Sequence, residues 1–392
     1  MKLKTHKNIV IVGGGFAGVK AALEISKRKL GKVTLISDEP YFLHHATLYA
    51  TATGRNRAES VISLVDIFSN NPLVTVVQDT MKSIDSDRRL VVGSKVSYKY
   101  DELIIAIGLV TTYFDIKGMD QHAFGIKTLD EVKAFNQHIR QDIIEDKHVK
   151  KTYVVVGAGP TGVELAGALK GYVTQLVATY KVKRPNVAIT LVEAAPRILP
   201  KSSKTASRII ARKLTSMGVK VITNHAVQSM DDDSVTIQGK RVTTDTVIWT
   251  SGVANHPFFA KHPEYFQLAK NGRVEVDEHL QAYSHIYVLG DNNATKYSGM
   301  AWPALASARF IAHHLARKNA KKPLKKFRTS SPPSGIPVNG LWAYVEWRGI
   351  YVAGRAGFVL RRWMELYGYL QLLPYKSAVA AWRSRDLPET DI

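Results

Sequence analysis

Asn8-Ile9-Val10-Ile11-Val12-Gly13-Gly14-Gly15-Phe16-Ala17-Gly18 decides the fold of this 392-residue chain, and Tyr153-Val154-Val155-Val156-Gly157-Ala158-Gly159-Pro160-Thr161-Gly162 repeats its pattern 144 residues later. Each stretch reads as a buried parallel strand, a tight glycine turn and the start of a helix. The first glycine makes the turn, the second admits a pyrophosphate against the backbone, and the third lets helix pack on strand. The anion then rests on free N–H groups at a helix N-terminus. Two such units on one chain imply two bound dinucleotides, the layout of a flavoprotein that passes electrons from a nicotinamide to a flavin.

Working outward, Val33-Thr34-Leu35-Ile36 supplies the second strand of the first unit, and Leu103-Ile104-Ile105-Ala106-Ile107-Gly108 a further buried strand. A connector carries a helix from Leu129 to Ile144. The second unit continues through Val187–Val192 and closes with Val247-Ile248-Trp249-Thr250. The first unit then resumes with His285–Leu289, Gly290-Asp291, and a helix expected from Ala304 to Arg317. The expected architecture is α/β: two Rossmann-like dinucleotide-binding domains, the NADH domain inserted in the FAD domain, and a C-terminal module. Its bounds are 1–112 and 256–330 for FAD, 113–255 for NADH, and 331–392 for the module, which follows the turn-rich Ser330–Gly335.

Composition narrows the class. There is no cysteine, which excludes thiol, disulfide and thiolate-metal chemistry within the chain. No apolar run is long enough to span a bilayer. The basic N-terminus leads straight into the first strand without a signal-peptide pattern, so a cytoplasmic location is expected. Net charge is +21, and Arg317 to Arg385 holds fourteen Lys or Arg against two Glu. An anionic partner is implied. No basic-aromatic platform suggests nucleic acid.

An acid at the end of the second strand binds a ribose hydroxyl and repels a 2′-phosphate. Asp38, 20 residues past Gly18, fills this place for the flavin nucleotide, and Glu193, 31 past Gly162, for NADH. Arg197 nearby keeps NADPH open, since an arginine accepts a 2′-phosphate. Gly290-Asp291 after a buried strand suits contact with the flavin ribityl chain. Glu164, early in the second helix, reads either as a complement to the helix dipole or as a catalytic group tuning hydride transfer. Paired histidines at 44–45 and 313–314 lack a second cluster, so no metal is expected.

With these residues in place, the chain resembles the type II (alternative, single-subunit) NADH dehydrogenases, within the disulfide-reductase-like superfamily. The resemblance is carried by the two glycine fingerprints, Tyr100–Gly108, Gly157–Gly167, Val192-Glu193-Ala194-Ala195-Pro196-Arg197, Trp249-Thr250-Ser251-Gly252-Val253 and Leu289-Gly290-Asp291. It implies non-covalent FAD, NADH as cosubstrate and quinone as acceptor, in non-proton-pumping respiratory electron transport. By resemblance, Gly13, Gly15, Phe16, Ala17, Gly18, Asp38, Met81, Ala106, Gly108, Gly290, Asp291 and Ala301 bind FAD. Gly157, Gly159, Pro160, Thr161, Gly162, Glu193 and Gly252 bind NADH. One departure stands out: where the family carries an Ala-Gln…Gln segment, Trp302 and Ala306 occupy the glutamine positions, and they are the quinone candidates.

Val359, Trp363, Leu366, Leu370 and Leu373 form one helical stripe, with Arg361, Glu365 and Gly368 roughly opposite. Ended by Pro374, this helix suits the plane of a bilayer, with Arg362, Lys376, Arg383 and Arg385 meeting anionic head groups. The expected protein is therefore peripheral, on the cytoplasmic face of the membrane, with NADH, quinone, anionic lipid and a second copy in a homodimer as partners. The rival reading is a soluble NADH oxidase or a reductase of a protein electron carrier.

Overall fold

The computed structural model describes residues 7–144, 150–182 and 186–387. Its first sheet runs Gln281–Tyr283, Ile286–Val288, Glu102–Ile105, Asn8–Val12, Lys32–Ser37, Val74–Gln78 in spatial order. All but the Gln281–Tyr283 edge pair are parallel, with Ile9 beside Val33 and Val10 beside Leu103. Strands buried on both faces need unbroken apolar runs, and Ile9 to Val12 and Leu103 to Ile105 are buried throughout. The second sheet, Val219–Ile222, Asn186–Val192, Lys150–Val156, Thr246–Trp249, is wholly parallel and lies within the first in sequence.

The connector helix spans Leu129–Ile144. The strand read through Gly108 stops at Ile105, and the chain turns at Gly108 into a short strand, Leu109–Thr111. This pairs antiparallel with Val253–Asn255 and stitches the two nucleotide units together. The helix expected from Ala304 begins at Ala301, because Pro303 falls in its first turn, where a missing N–H costs nothing.

The C-terminal region holds a sheet that the sequence pattern did not reveal: Ser334–Asn339, Trp342–Trp347 and Ile350–Gly354, antiparallel. Arg348 and Gly349 both have positive φ and close the second hairpin in two residues, as tight right-twisting hairpins require. The Ser334–Asn339 strand lies on the Pro160–Thr179 helix at Gly167 and Gly171, where a Cβ would run into Val338 O and the Asn339 side chain.

The helices Arg355–Leu370 and Tyr375–Ser384 follow. Tyr369, Leu372, Leu373, Ala378 and Ala381 join the core of the first unit. The module thus touches both nucleotide units. Leu373 is buried beyond the helix end and does not continue the outward stripe. Of the rest of that stripe, Trp363 is 61% and Val359 54% exposed and Leu370 is also exposed, while Leu366 is half-buried; Tyr367, outside the stripe, adds to the exposed face. The charged side faces in, with Arg361 8% and Glu365 4% exposed. Arg362 is not a surface cation either: it is buried, ion-paired to Glu365 at 3.0 Å and packed over Trp382. Arg385 lies over the Phe358 ring and donates to Gly340 O. Lys376 and Arg383 remain exposed. Among the described residues no helix is long and apolar enough to cross a membrane.

Candidate functional site: two helix N-termini and a buried charge cluster

The helices that begin at Phe16, Pro160 and Ala301 start without a side-chain cap. Uncapped N–H groups need an outside acceptor, and anions suit that place. The glycines before the first two helices sort into two kinds. At Gly13 (φ 113°) a Cβ would strike Ala106 O, and at Gly18 it would strike Gly13 O. At Gly157 (φ 97°) it would meet Ser251, and at Gly162 Gly157 O. Those four are demanded by the protein's own packing. Gly15 and Gly159 have ordinary backbone angles, and a Cβ added at either would find no atom within 4 Å. The chain leaves space there that its own atoms do not use, directly at two open helix ends. That is the fit expected of two dinucleotide pyrophosphates.

The remaining flavin candidates converge on the first of these ends. Val12, Ile36 and Met81 share one core cluster, so Met81 stands beside the strand ends that deliver Gly13 and Asp38. Asp38 is exposed after the Lys32–Ser37 strand. Ala106 N donates to Val12 O at 2.8 Å. Gly290 lies between Ala17 and Ala304, 3.1 and 3.7 Å from where its Cβ would be. Asp291 accepts from Gly299 N at 3.0 Å, ahead of Ala301.

Asn292, overlooked in the sequence, fixes this corner. It is fully buried; its Oδ1 accepts from Gly108 N at 2.8 Å, and its Nδ2 donates to Gly108 O and Asn255 Oδ1. One amide therefore ties the flavin-side turn to the seam between the units. The available signal was an asparagine pair directly after Gly290-Asp291.

On the nucleotide side, Glu193 Oε2 accepts from Ala158 N at 2.7 Å and Oε1 from Ala195 N at 2.9 Å. Its carboxylate is thus held against the glycine turn. Arg197 does not offer a phosphate site: its guanidinium donates to Leu199 O, Pro200 O, Ser202 O and Ser207 Oγ. Gly252 sits tight against Thr112 O and Phe114, and Trp249 Nε1 donates to the same Thr112 O.

Glu164 faces the C-terminal helix. It is buried beside Arg361, which pairs with Glu365 at 3.3 Å. Burial pushes the Glu164 carboxyl up to about 8, against the pull of Arg361, and burial likewise pushes Glu59 up to about 7. Tyr369 donates to Glu59 O, and its ring stacks on His44 at 4.6 Å. Burial depresses His44 to about 3, so it is neutral. Among the described residues no group of three potential ligands could hold a metal.

Because Glu164 titrates higher folded than its ordinary 4.5, its contribution to stability is complete below 4.5 and is lost as pH rises through about 8. Glu59 acts in the same direction. Urea midpoints are expected to fall between these pH values, and Glu164→Gln, which cannot ionise, is expected to flatten the fall.

Trp302 and Ala306 are half-buried on the Ala301–Asn319 helix, and Trp302 reaches the C-terminal helix at Tyr367. The Trp302 ring stacks on Tyr367 at 5.8 Å and 28°, and the Arg309 guanidinium lies over the Trp302 ring, 6.0 Å from its centroid. Tyr367 belongs to the outward apolar face, so Trp302 adjoins that face.

The pyridine nucleotide-disulphide oxidoreductase family profile matches residues 7–308. The type II NADH:quinone oxidoreductase of Staphylococcus aureus is 28% identical over 319 residues, covering 78% of this chain and 79% of that protein. Among solved structures, NDH2 from Plasmodium falciparum in complex with NADH superposes with a TM-score of 0.86 over 99% of this chain and 100% of that one, at 19% identity. The sulfide:quinone oxidoreductase of Aquifex aeolicus gives 0.79 over 97% and 92%, also at 19% identity.

Proposed function

The chain belongs to the pyridine nucleotide-disulphide oxidoreductase family, and from that premise we propose that it is an FAD-dependent NADH:quinone oxidoreductase that works as a peripheral protein on the cytoplasmic face of a membrane. The observation that carries the reading is the pair of open helix ends at Gly15 and Gly159, joined by the Gly108–Gly252 seam, with Trp302 and Tyr367 leading to an apolar outer face. FAD, held at the Phe16 helix end by Asp38 and Asp291, would supply the two-electron redox chemistry that links NADH to quinone.

The chain's own part is binding, orientation and exclusion of water. The Phe16 and Pro160 helix ends hold the two pyrophosphates. Asp38 and Glu193 face the adenosine riboses. Asn292 fixes Gly108 at the flavin, and Asp291 stands at the ribityl chain. Glu164, buried beside Arg361, holds a proton on its carboxyl at neutral pH. Trp302 offers a ring face for quinone in place of the polar contacts that glutamine would make; Ala306 leaves room beside it.

With Glu193 fixed at the turn and Arg197 occupied elsewhere, NADH is expected to exceed NADPH by on the order of a hundredfold or more in kcat/KM. Two unit charges about 4 Å apart repel by about 4 kcal/mol at an effective dielectric of 20. Comparable rates with the two nucleotides would refute this placement of Glu193.

Membrane docking rests on the inverted helix: an apolar face bearing Val359, Trp363, Tyr367 and Leu370 outward, with Lys376 and Arg383 exposed beyond it, suits an anionic interface. Trp363→Glu is expected to cut co-sedimentation with phosphatidylglycerol vesicles by about tenfold while NADH still bleaches the flavin. The test of the whole reading is NADH oxidation by FAD-loaded protein with a short-chain quinone, with and without vesicles, and with oxygen alone. Quinone-dependent turnover raised by lipid is expected. Flavin reduction with no acceleration by quinone would sink it in favour of an oxidase or a reductase of a carrier protein.

A further inference from the structure

A cleft of about 360 Å³ opens between the Phe16–Lys27 and Ala301–Asn319 helices, away from both glycine turns. Its wall carries Arg28, Arg309, Arg317 and Lys325 around the Phe310 ring. The one carboxylate on the wall, Glu24, is already matched by Lys20 at 2.9 Å and Arg28 at 3.7 Å. His314 also lines the cleft; it is 3% exposed, and its Nδ1 is buried without a hydrogen-bond partner among the described residues. Four cations around an aromatic floor, with a buried ring nitrogen left unpaired, form a place that water-exposed charge alone does not explain. Guanidinium groups match phosphate oxygens in pairs, and the Phe310 ring suits an apolar body attached to the phosphate.

We propose that this cleft binds an organic phosphate with an apolar body. Its position supports an anionic phospholipid head group as the source. Arg309 donates to Gln371 Oε1 at 2.6 Å, and Lys20 donates to Gln371 O at 3.0 Å. Gln371 follows directly on the helix whose outer face is apolar, so the cleft lies at the rim of that face. The choice of lipid as the source rests on the membrane reading above; the phosphate site itself does not. Arg309 also lies over Trp302, so the cleft shares a cation with the acceptor side.

Calorimetric titration of the FAD-loaded protein would use short-chain phosphatidylglycerol below its micelle concentration, the matching phosphatidylcholine, and inorganic phosphate. Saturable binding of phosphatidylglycerol is expected, weakened about tenfold or more in Arg28→Gln/Lys325→Gln, which removes two exposed cations. Lys220→Gln/Lys240→Gln, with the same charge change on the inserted unit, is expected to bind as the parent does. Full competition by inorganic phosphate would name the free anion as ligand and overturn the choice of lipid; phosphatidylglycerol binding that phosphate does not displace and that phosphatidylcholine does not match would name the anionic head group. Absence of saturable binding, or equal losses in the two double variants, would overturn the site. Binding is read without turnover, so a failed quinone assay would not decide it.

Discussion

Gly159→Asp is expected to abolish flavin reduction by NADH while leaving the protein folded and flavin-loaded. The residue has ordinary backbone angles, and a Cβ added there finds no atom within 4 Å. Unfolding free energy should shift by less than about 0.5 kcal/mol. The new carboxylate would stand where the pyrophosphate rests. A pair of unit charges about 4 Å apart costs about 4 kcal/mol at an effective dielectric of 20, roughly a thousandfold in affinity. Stopped-flow bleaching of the flavin by NADH reads this directly. Gly157→Ala is the contrasting variant: its Cβ would collide with Ser251 at a positive φ, so it should lose soluble folded protein instead. If Gly159→Asp reduced its flavin at the parental NADH concentration, the second helix end would not be the NADH site.

The second large effect concerns Arg361. It donates to Gly335 O at 3.1 Å, pairs with Glu365 and lies beside Glu164. Arg361→Leu would take from Glu365 one of its two arginine partners, leaving Arg362, and would remove the donor held on Gly335 O beside the protonated Glu164. Removing one member of a buried ionic group costs about 3–5 kcal/mol. The loss should appear first as release of the C-terminal module, read as proteolytic cutting after residue 330 before global unfolding. Glu365→Leu added to Arg361→Leu is expected to deepen the loss, since it leaves the buried Arg362 without its carboxylate. An Arg361→Leu protein as resistant as the parent would show that the cluster is ornamental to stability.

The glycine turns, the two parallel sheets and the Leu129–Ile144 helix were legible because each rests on local constraint: turn geometry, strands buried on both faces, or a 3.6-residue period. The inward-facing charges of the Arg355–Leu370 helix follow from tertiary context. A stripe pattern shows that a helix has two faces; which face turns inward is decided by Glu164 and Gly335 on other elements. Arg197 shows the same limit. Its type permits a 2′-phosphate contact, yet four nearby oxygens on the 199–207 stretch take its donors. The Ser334–Gly354 sheet was only half announced: Asn339-Gly340 at its first turn is a hairpin dipeptide that the reading of the sequence passed over, whereas Arg348-Gly349 at the second is not among the usual ones.

The nesting of one nucleotide unit inside the other has a consequence for synthesis on the ribosome. The Glu102–Ile105 strand, paired on one side with Asn8–Val12, acquires its second neighbour only when Ile286–Val288 emerges, about 180 residues later. At roughly 5–20 residues per second, that strand's open edge waits about 9 to 36 seconds. The inserted sheet has all four of its strands by Trp249 and can close during the interval. The nascent chain is then a finished unit held between two unfinished halves, and the exposed apolar edge beside it is where a chaperone or a wrong strand would pair first.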